Sequence, residues 1–169
     1  MTDRHVVLVG MMGSGKSTVG SRLARRLDRP FVDSDDQVER RTGRTVRQIF
    51  EQEGEDAFRQ HEAEALAEAL AREEPAVIAA AGGTILDEKN RRRMREGGVV
   101  VWLRADPAML ADRAQRGDHR PLLADDPEGV IRRLDAERHD LYAEAAHHVV
   151  EVGTRTPDEV VDAVLEVVG

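Results

Sequence analysis

The chain has 169 residues, 40% of them hydrophobic and 34% charged, a length and composition that fit one soluble domain with its own core. It contains no cysteine, which excludes disulfides and thiolate metal sites. The net charge of −8 argues against nonspecific nucleic-acid binding, which usually requires a basic face.

Short apolar runs alternate with helical patterns along the chain. The apolar runs cover residues 6–9, 31–32, 76–80, 99–103 and 149–152. Continuous runs of this length are typical of strands buried on both faces. The first run begins almost at the N-terminus with no signal peptide before it, and no run approaches a membrane span. We therefore expect a cytoplasmic protein. We also expect a monomer.

The segments between these runs carry helical spacing and helix-start signals. Val19, Leu23 and Leu27 recur every four residues, Asp87 can cap a helix that stops at Gly97-Gly98, and Asp106-Pro107 is a favourable helix start. Pro127 opens a further helix, and residues 156–159 read as a capping box. Alternating strands and helices predict a three-layer α/β fold with a parallel sheet, whose ligands bind at the carboxyl ends of the strands.

Residues 10–18 read G-M-M-G-S-G-K-S-T and match the phosphate-loop pattern G-x-x-x-x-G-K-[ST] between a predicted strand and a predicted helix. Glycines let successive N–H groups turn toward an anion, and the helix N-terminus adds its positive dipole. Lys16 is expected to reach the β- and γ-phosphates of a nucleotide, and the Ser17 hydroxyl to bind Mg²⁺. The predicted nucleotide-binding residues of this loop are Gly13, Ser14, Gly15, Lys16, Ser17 and Thr18.

Two carboxylates follow the second apolar run. Along an extended chain Asp33 and Asp35 point to the same side, where one could help to hold Mg²⁺ through water and the other could accept a proton from an attacking hydroxyl. The alternative is an acidic helix N-terminus, since aspartates favour caps and first turns.

The segment at residues 115–121 is polar and lacks periodicity. It carries two arginines, Arg116 and Arg120, near the expected nucleotide site. These features favour a lid, at about residues 113–126, that closes over ATP and excludes water. The alternative is an ordinary surface loop.

Further motifs give the chain, over nearly its whole length, a resemblance to the shikimate kinase family. After the glycine loop come D-S-D, then R-T-G-R-T-V-R-Q-I-F, then F-R at residues 58–59. A-G-G at 81–83, R-P-L-L at 120–123 and E-R-x-x-L-Y at 137–142 follow in the order that the family shows. The resemblance implies a nucleoside-monophosphate-kinase-like fold in one domain spanning residues 1–169, with a five-stranded parallel sheet in the order 2-3-1-4-5.

The resemblance also implies which residues bind the acceptor. Asp35 would hold the shikimate hydroxyls and act as the base, Arg59 and Arg138 would grip the carboxylate, and the backbone at Gly82 and Gly83 would approach the ring. Arginine suits this role because its planar fork matches a carboxylate bidentately. Residues 34–62 would form the acceptor-binding helices, with further pocket walls at Val46, Phe50, Phe58 and Glu62.

For the nucleotide, the resemblance implies that Asp33 helps to place Mg²⁺ through water and that Arg120 reaches the phosphates from the lid. Arg113 would lie over the adenine, with Pro157 on its other side. Catalysis would depend on Lys16, Asp35 and Arg120, and the products would be ADP and shikimate 3-phosphate.

Two positions depart from the family pattern. Ala81 stands where the family usually has the first of three glycines, and a methyl group there is harmless only if φ is negative. Asp140 replaces a frequent proline and adds an acid near a site meant for an anion. Two alternatives therefore stay open: a P-loop kinase of another hydroxy acid such as gluconate, and a nucleotide-binding regulatory module without phosphotransfer.

Overall fold

A computed structural model describes residues 2–116 and 126–169. Its sheet has five parallel strands, in the spatial order β2-β3-β1-β4-β5. The strands are β1 (His5–Val9), β2 (Phe31–Asp33), β3 (Val77–Ala79), β4 (Gly98–Arg104) and β5 (His148–Glu151). The predicted strands, the parallel sheet and the order 2-3-1-4-5 are therefore confirmed.

Helices follow the strands as the sequence pattern predicts. They are α1 (Lys16–Leu27), α2 (Ser34–Thr42), α3 (Val46–Glu53), α4 (Glu55–Leu70), α5 (Glu88–Gly97), α6 (Pro107–Arg116), α7 (Pro127–Ala145) and α8 (Pro157–Val168), with a 3₁₀ turn at Gly82–Leu86. Within the described ranges, no helix is long and apolar enough to cross a membrane.

The central strand β1 separates the two halves of the core. Alternation along β1 sends Val7 into one apolar cluster, which includes Leu66 of α4 and Trp102, and sends Leu8 into the opposite cluster, which includes Leu23 of α1. All five strand residues of β1 are buried. Helices thus cover both faces of the sheet, as a parallel sheet requires, and three layers result.

Local capping signals set the helix boundaries where the sequence places them. The side chain of Asp87 accepts a hydrogen bond from the Lys89 N–H, and that of Asp106 accepts one from the Ala108 N–H. Thr156 and Glu159 form a reciprocal capping box at the start of α8. Each cap satisfies N–H groups that the first helical turn leaves without a partner.

The sheet order brings three strand ends together at one edge. Because β1 lies beside β3, and β3 beside β2, the loops that follow these strands meet above the sheet. They are the glycine loop after β1, the Asp33 junction with α2 after β2, and residues 80–83 after β3. This edge is where the predicted site residues converge.

Replacing Thr156 by alanine removes the hydroxyl that accepts the Glu159 N–H at 3.2 Å. We expect the free energy of unfolding to fall by about 1 kcal/mol, because an N-cap and half of the capping box are lost. Urea denaturation of Thr156→Ala measures the change. Thr154→Ala, at an exposed position in the preceding turn, is the control, and equal stability of the two variants would contradict the capping role.

Candidate active site

A cavity of about 780 Å³ opens at the carboxyl edge of the sheet. It runs from the glycine loop and the start of α8 to α3, α4 and the middle of α7. Its two ends differ in chemistry, since one is lined by loop backbone and the other by charged and aromatic side chains.

The glycine loop adopts a backbone that only glycine tolerates well. Gly10, Gly13 and Gly15 have φ angles of 150°, 82° and 93°. A Cβ at Gly13 would lie 2.9 Å from the Leu110 carbonyl oxygen, so space as well as conformation requires glycine there. This geometry gives the loop the concave form that the motif predicts, at the N-terminus of α1.

Lys16 lies across the mouth of this loop. Its Nζ donates hydrogen bonds to the carbonyl oxygens of Gly10 at 2.7 Å and Met11 at 3.0 Å. The ammonium group is therefore held over the loop, where a bound phosphate chain would replace or share these carbonyl contacts. Ser14, Gly15, Ser17 and Thr18 line the same end of the cavity.

Asp33 links the loop to the second strand. The Ser17 Oγ donates to Asp33 Oδ2 at 2.6 Å, while Asp33 Oδ1 accepts the N–H of Asp35 at 3.0 Å. Asp33 is thus the N-cap of α2, as the alternative interpretation held, and its carboxylate also contacts the Ser17 hydroxyl. The extended-chain argument for Asp33 and Asp35 was wrong because α2 already begins at Ser34, yet both carboxylates line the cavity.

A buried hydroxyl joins the second and third loops. Ser34, which is fully buried, accepts a hydrogen bond from the Ala81 N–H at 2.8 Å. Sequence reasoning assigned Ser34 no role, and no local pattern marks it, because its partner is distant in sequence. Ala81 has a φ of −57°, so its methyl group is accommodated without backbone strain.

The far end of the cavity contains the arginine pair Arg59 and Arg138, of which Arg59 is partly buried and Arg138 is buried. Arg59 of α4 donates to Glu62 at 2.7 Å and to Glu55 at 3.2 Å. Arg138 of α7 is only 4% exposed. The Nε atoms of both arginines are buried and lack a hydrogen-bond partner within residues 2–116 and 126–169. Such donors suit an anionic ligand.

Glu62 is the buried carboxyl beside this pair. It is 2% exposed, and burial raises its pKa to about 7, although Arg59 opposes the rise. Asp35 adds to the rise, and Arg138 opposes it. The carboxyl group therefore titrates near neutral pH, and its charge controls how positive this end of the cavity is.

Aromatic and aliphatic side chains surround the arginine pair. Phe50 and Phe58 pack with their ring centroids 4.6 Å apart, and with Val46 they line the cavity as predicted. Arg59 lies 5.6 Å above the Phe58 ring. These walls lower the local dielectric and strengthen the charge interactions among Arg59, Glu62 and Arg138.

Helix α7 orients Arg138 through its packing on the sheet. Tyr142, one turn further on, stacks on Trp102 at 5.5 Å and donates its hydroxyl to the Gly82 carbonyl oxygen at 3.4 Å. Burial raises the pKa of Tyr142 to about 12, so the phenol keeps its proton. The motif E-R-x-x-L-Y pointed to this residue without giving it a role. Asp140 is exposed and does not line the cavity.

The nucleotide end is completed by α6 and α8. The Arg113 Nη1 donates to the Gly13 carbonyl oxygen at 3.4 Å, and Arg113, Pro157 and Arg155 line the cavity. Arg155 was missed because it lies in a turn with no motif. Arg120 and most of the predicted lid at residues 113–126 lie outside the described residues.

The glycine loop, the order of the strands and the cavity at the carboxyl edge of the sheet define the class of protein. The chain has a P-loop kinase fold. A family model described as shikimate kinase matches residues 12–169. Shikimate kinase of Symbiobacterium thermophilum is 49% identical over 96% of this chain and 94% of its own. That of Burkholderia thailandensis is 48% identical over 95% and 88%. The chain belongs to the shikimate kinase family, and this membership makes it an ATP-dependent kinase.

Solved structures agree with this assignment. Shikimate kinase from Acinetobacter baumannii, solved in complex with shikimate, matches with a TM-score of 0.95 at 39% identity, over 99% of this chain and 93% of that one. A gluconokinase from Sinorhizobium meliloti, at 24% identity and a TM-score of 0.65 over 97% and 90% of the two chains, shares the fold alone.

The raised pKa of Glu62 predicts a pH-dependent stability. Between the ordinary pKa of 4.5 and about 7, the folded protein binds a proton that the unfolded chain releases. Stability is therefore lost as pH rises through this window, by about 3 kcal/mol in full. Denaturation of the parent and of Glu62→Gln from about pH 5 to about pH 8 should give a steeper decline for the parent. Parallel curves would contradict the assignment.

Proposed function

We propose that the protein transfers the γ-phosphate of ATP to the 3-hydroxyl of shikimate, giving ADP and shikimate 3-phosphate. The observation that carries this proposal is the cavity itself, which joins a phosphate loop to the arginine pair and has Asp35 on its wall. An acceptor with one carboxylate and several hydroxyls needs this mixture of groups. The shikimate-bound Acinetobacter baumannii relative supports the choice of acceptor.

The acceptor carboxylate would bind between Arg59 and Arg138. Both guanidiniums are largely withdrawn from water, so a charge-assisted hydrogen bond gains strength there and an uncharged acceptor would leave a donor unsatisfied. Glu62 neutralises part of the positive charge when it is ionised. The ring would then face the backbone at Gly82 and Gly83, which line the same pocket.

Asp35 is the proposed base. It stands in the first turn of α2 and lines the cavity that the phosphate loop and the arginine pair share. A carboxylate there can hold the reacting hydroxyl and accept its proton as the phosphoryl group arrives. Placing the hydroxyl close to the γ-phosphate supplies most of the remaining catalysis.

ATP would bind with its phosphates in the glycine loop. Loop N–H groups and Lys16 would hold the β- and γ-phosphates, and Arg113 and Pro157 would flank the adenine. Arg120, outside the described residues, would complete the phosphate contacts from the lid.

Mg²⁺ fits the oxygen pair formed by Ser17 and Asp33. A hydroxyl and a carboxylate 2.6 Å apart beside a phosphate loop are hard oxygen donors of the kind that Mg²⁺ prefers. The Ser17 Oγ would bind the ion directly, and Asp33 would hold one of its waters. When bound, the ion neutralises charge on the β- and γ-phosphate oxygens.

Coupled release of ADP with Mg²⁺-ATP, measured with shikimate, with gluconate and with no acceptor, tests the proposal. Strong release with shikimate alone is the expected result. Stimulation by gluconate instead would favour the kinase of another hydroxy acid. ATP binding without stimulation by either acceptor would favour a regulatory module.

Asp35→Asn tests the base. We expect kcat to fall by at least about a hundredfold, because the amide cannot accept the hydroxyl proton, while the affinity for ATP changes by less than about threefold. Steady-state kinetics and nucleotide binding measure both quantities. Asp56→Asn, at an exposed position on α4, is the matched control. Parent-like kcat in Asp35→Asn would remove Asp35 as the base.

A further inference from the structure

Gly83 lies directly beneath the guanidinium of Arg59. A Cβ built on Gly83 would overlap Arg59 Nη1 and would lie 3.0 Å from Nη2. At Gly82 the corresponding Cβ would be 3.4 Å from Arg138 Nη1, an ordinary close contact. The guanidinium of Arg59 thus occupies the space that a side chain at residue 83 would fill.

Space, rather than backbone conformation, requires glycine at this position. The positive φ angles among the described glycines belong to Gly10, Gly13, Gly15, Gly43, Gly54 and Gly153, and Gly83 is not among them. An alanine can therefore adopt the backbone of residue 83. Ala81, two residues earlier, shows that this turn accepts a methyl group where there is room.

The contacts between Arg59 and other residues of α4 do not by themselves fix the position of the Arg59 guanidinium in the cavity. Glu55 and Glu62 hold the guanidinium from α4, at 3.2 and 2.7 Å, and the Phe58 ring lies on one side. A long side chain with several rotatable bonds can keep such partners in more than one pose. The backbone at Gly83, in the neighbouring turn, provides the additional contact that limits where the Arg59 guanidinium can lie.

We propose that Gly83 is a positioning residue for the acceptor. Because residue 83 has no side chain, the Arg59 guanidinium can lie against its backbone, in the position where it contacts the acceptor carboxylate. This inference rests on the proposed function, since it assigns Arg59 to that carboxylate. A methyl group at residue 83 would displace the guanidinium and weaken acceptor binding. ATP binding, at the other end of the cavity, would be unaffected.

Space is available for the displaced Arg59 guanidinium, so Gly83→Ala should not unfold the protein. A second cavity of about 400 Å³ adjoins Gly83 and Arg59. Asp87, Glu88 and Asn90 line it, and the Asn90 Oδ1 has no hydrogen-bond partner within the described ranges. These acceptors can hold a guanidinium that has moved away from Glu62.

A double-mutant cycle tests the proposal. We expect Gly83→Ala to raise the KM for shikimate by about tenfold and to leave the KM for ATP within about twofold of the parent value. In an Arg59→Ala background, the same substitution should raise the KM for shikimate by no more than about twofold. Gly97→Ala, on α5 away from the cavity, controls for glycine replacement. An equal increase in both backgrounds would overturn the proposal, because Gly83 would then act on the acceptor without Arg59.

The same four proteins, compared by thermal unfolding, separate this inference from the proposed function. Shikimate-dependent ADP release by the parent tests the proposed function alone. If the parent shows none, the unfolding cycle decides: Gly83→Ala should lower the Tm of the parent, because Glu62 loses its partner, and leave the Tm of Arg59→Ala unchanged. Equal shifts in both backgrounds would overturn the seating of Arg59 on Gly83.

Discussion

The ion pair between Arg59 and Glu62 is the interaction on which the acceptor end of the cavity depends. An ionised carboxyl group that is 2% exposed would be costly alone, and the 2.7 Å hydrogen bond from Arg59 offsets part of that cost. Removing either partner of a buried pair typically costs about 3 kcal/mol or more. Both partners lie on α4, and the Arg59 guanidinium lies against Gly83 of the turn at Gly82–Leu86, so the pair sets the charge at this end of the cavity.

The pair also explains why we propose an anionic ligand for this end of the cavity. Arg59 and Arg138 bring two positive charges into a pocket walled by aromatic rings, and Glu62 balances at most one of them near neutral pH. The remaining charge is neutralised best by a ligand carboxylate. At the opposite end, the proposed phosphate ligands are backbone N–H groups and Lys16, so under this proposal each substrate binds to a different kind of group within one cavity.

The phosphate loop and the sheet could be predicted because their signals are local. Residues 10–18 form one contiguous pattern, and each apolar run overlaps one observed strand, although the edge strands β2 and β5 are only partly buried. The helix boundaries follow from caps such as Asp87 and Thr156, whose partners lie within three residues. Short-range signals of this kind survive in any tertiary context.

The acceptor end could not be predicted from the residues alone. The chain has 25 lysines and arginines, and nothing local distinguishes Arg59 or Arg138 from a solvated helix charge; only the family resemblance singled them out. The link between Ser34 and Ala81, and the space at Gly83, depend on segments distant in sequence. The φ of Ala81 likewise follows from the fold rather than from its neighbours.

The most direct test of the central claim compares shikimate with its methyl ester, which keeps the hydroxyls and lacks the charge. We expect the KM for the ester to exceed that for shikimate by at least about tenfold in the parent, because a buried guanidinium loses its ionic partner. In Arg138→Ala, the ratio of the KM for the ester to the KM for shikimate should fall toward one. Equal KM values for acid and ester in the parent would contradict the account of the arginine pair.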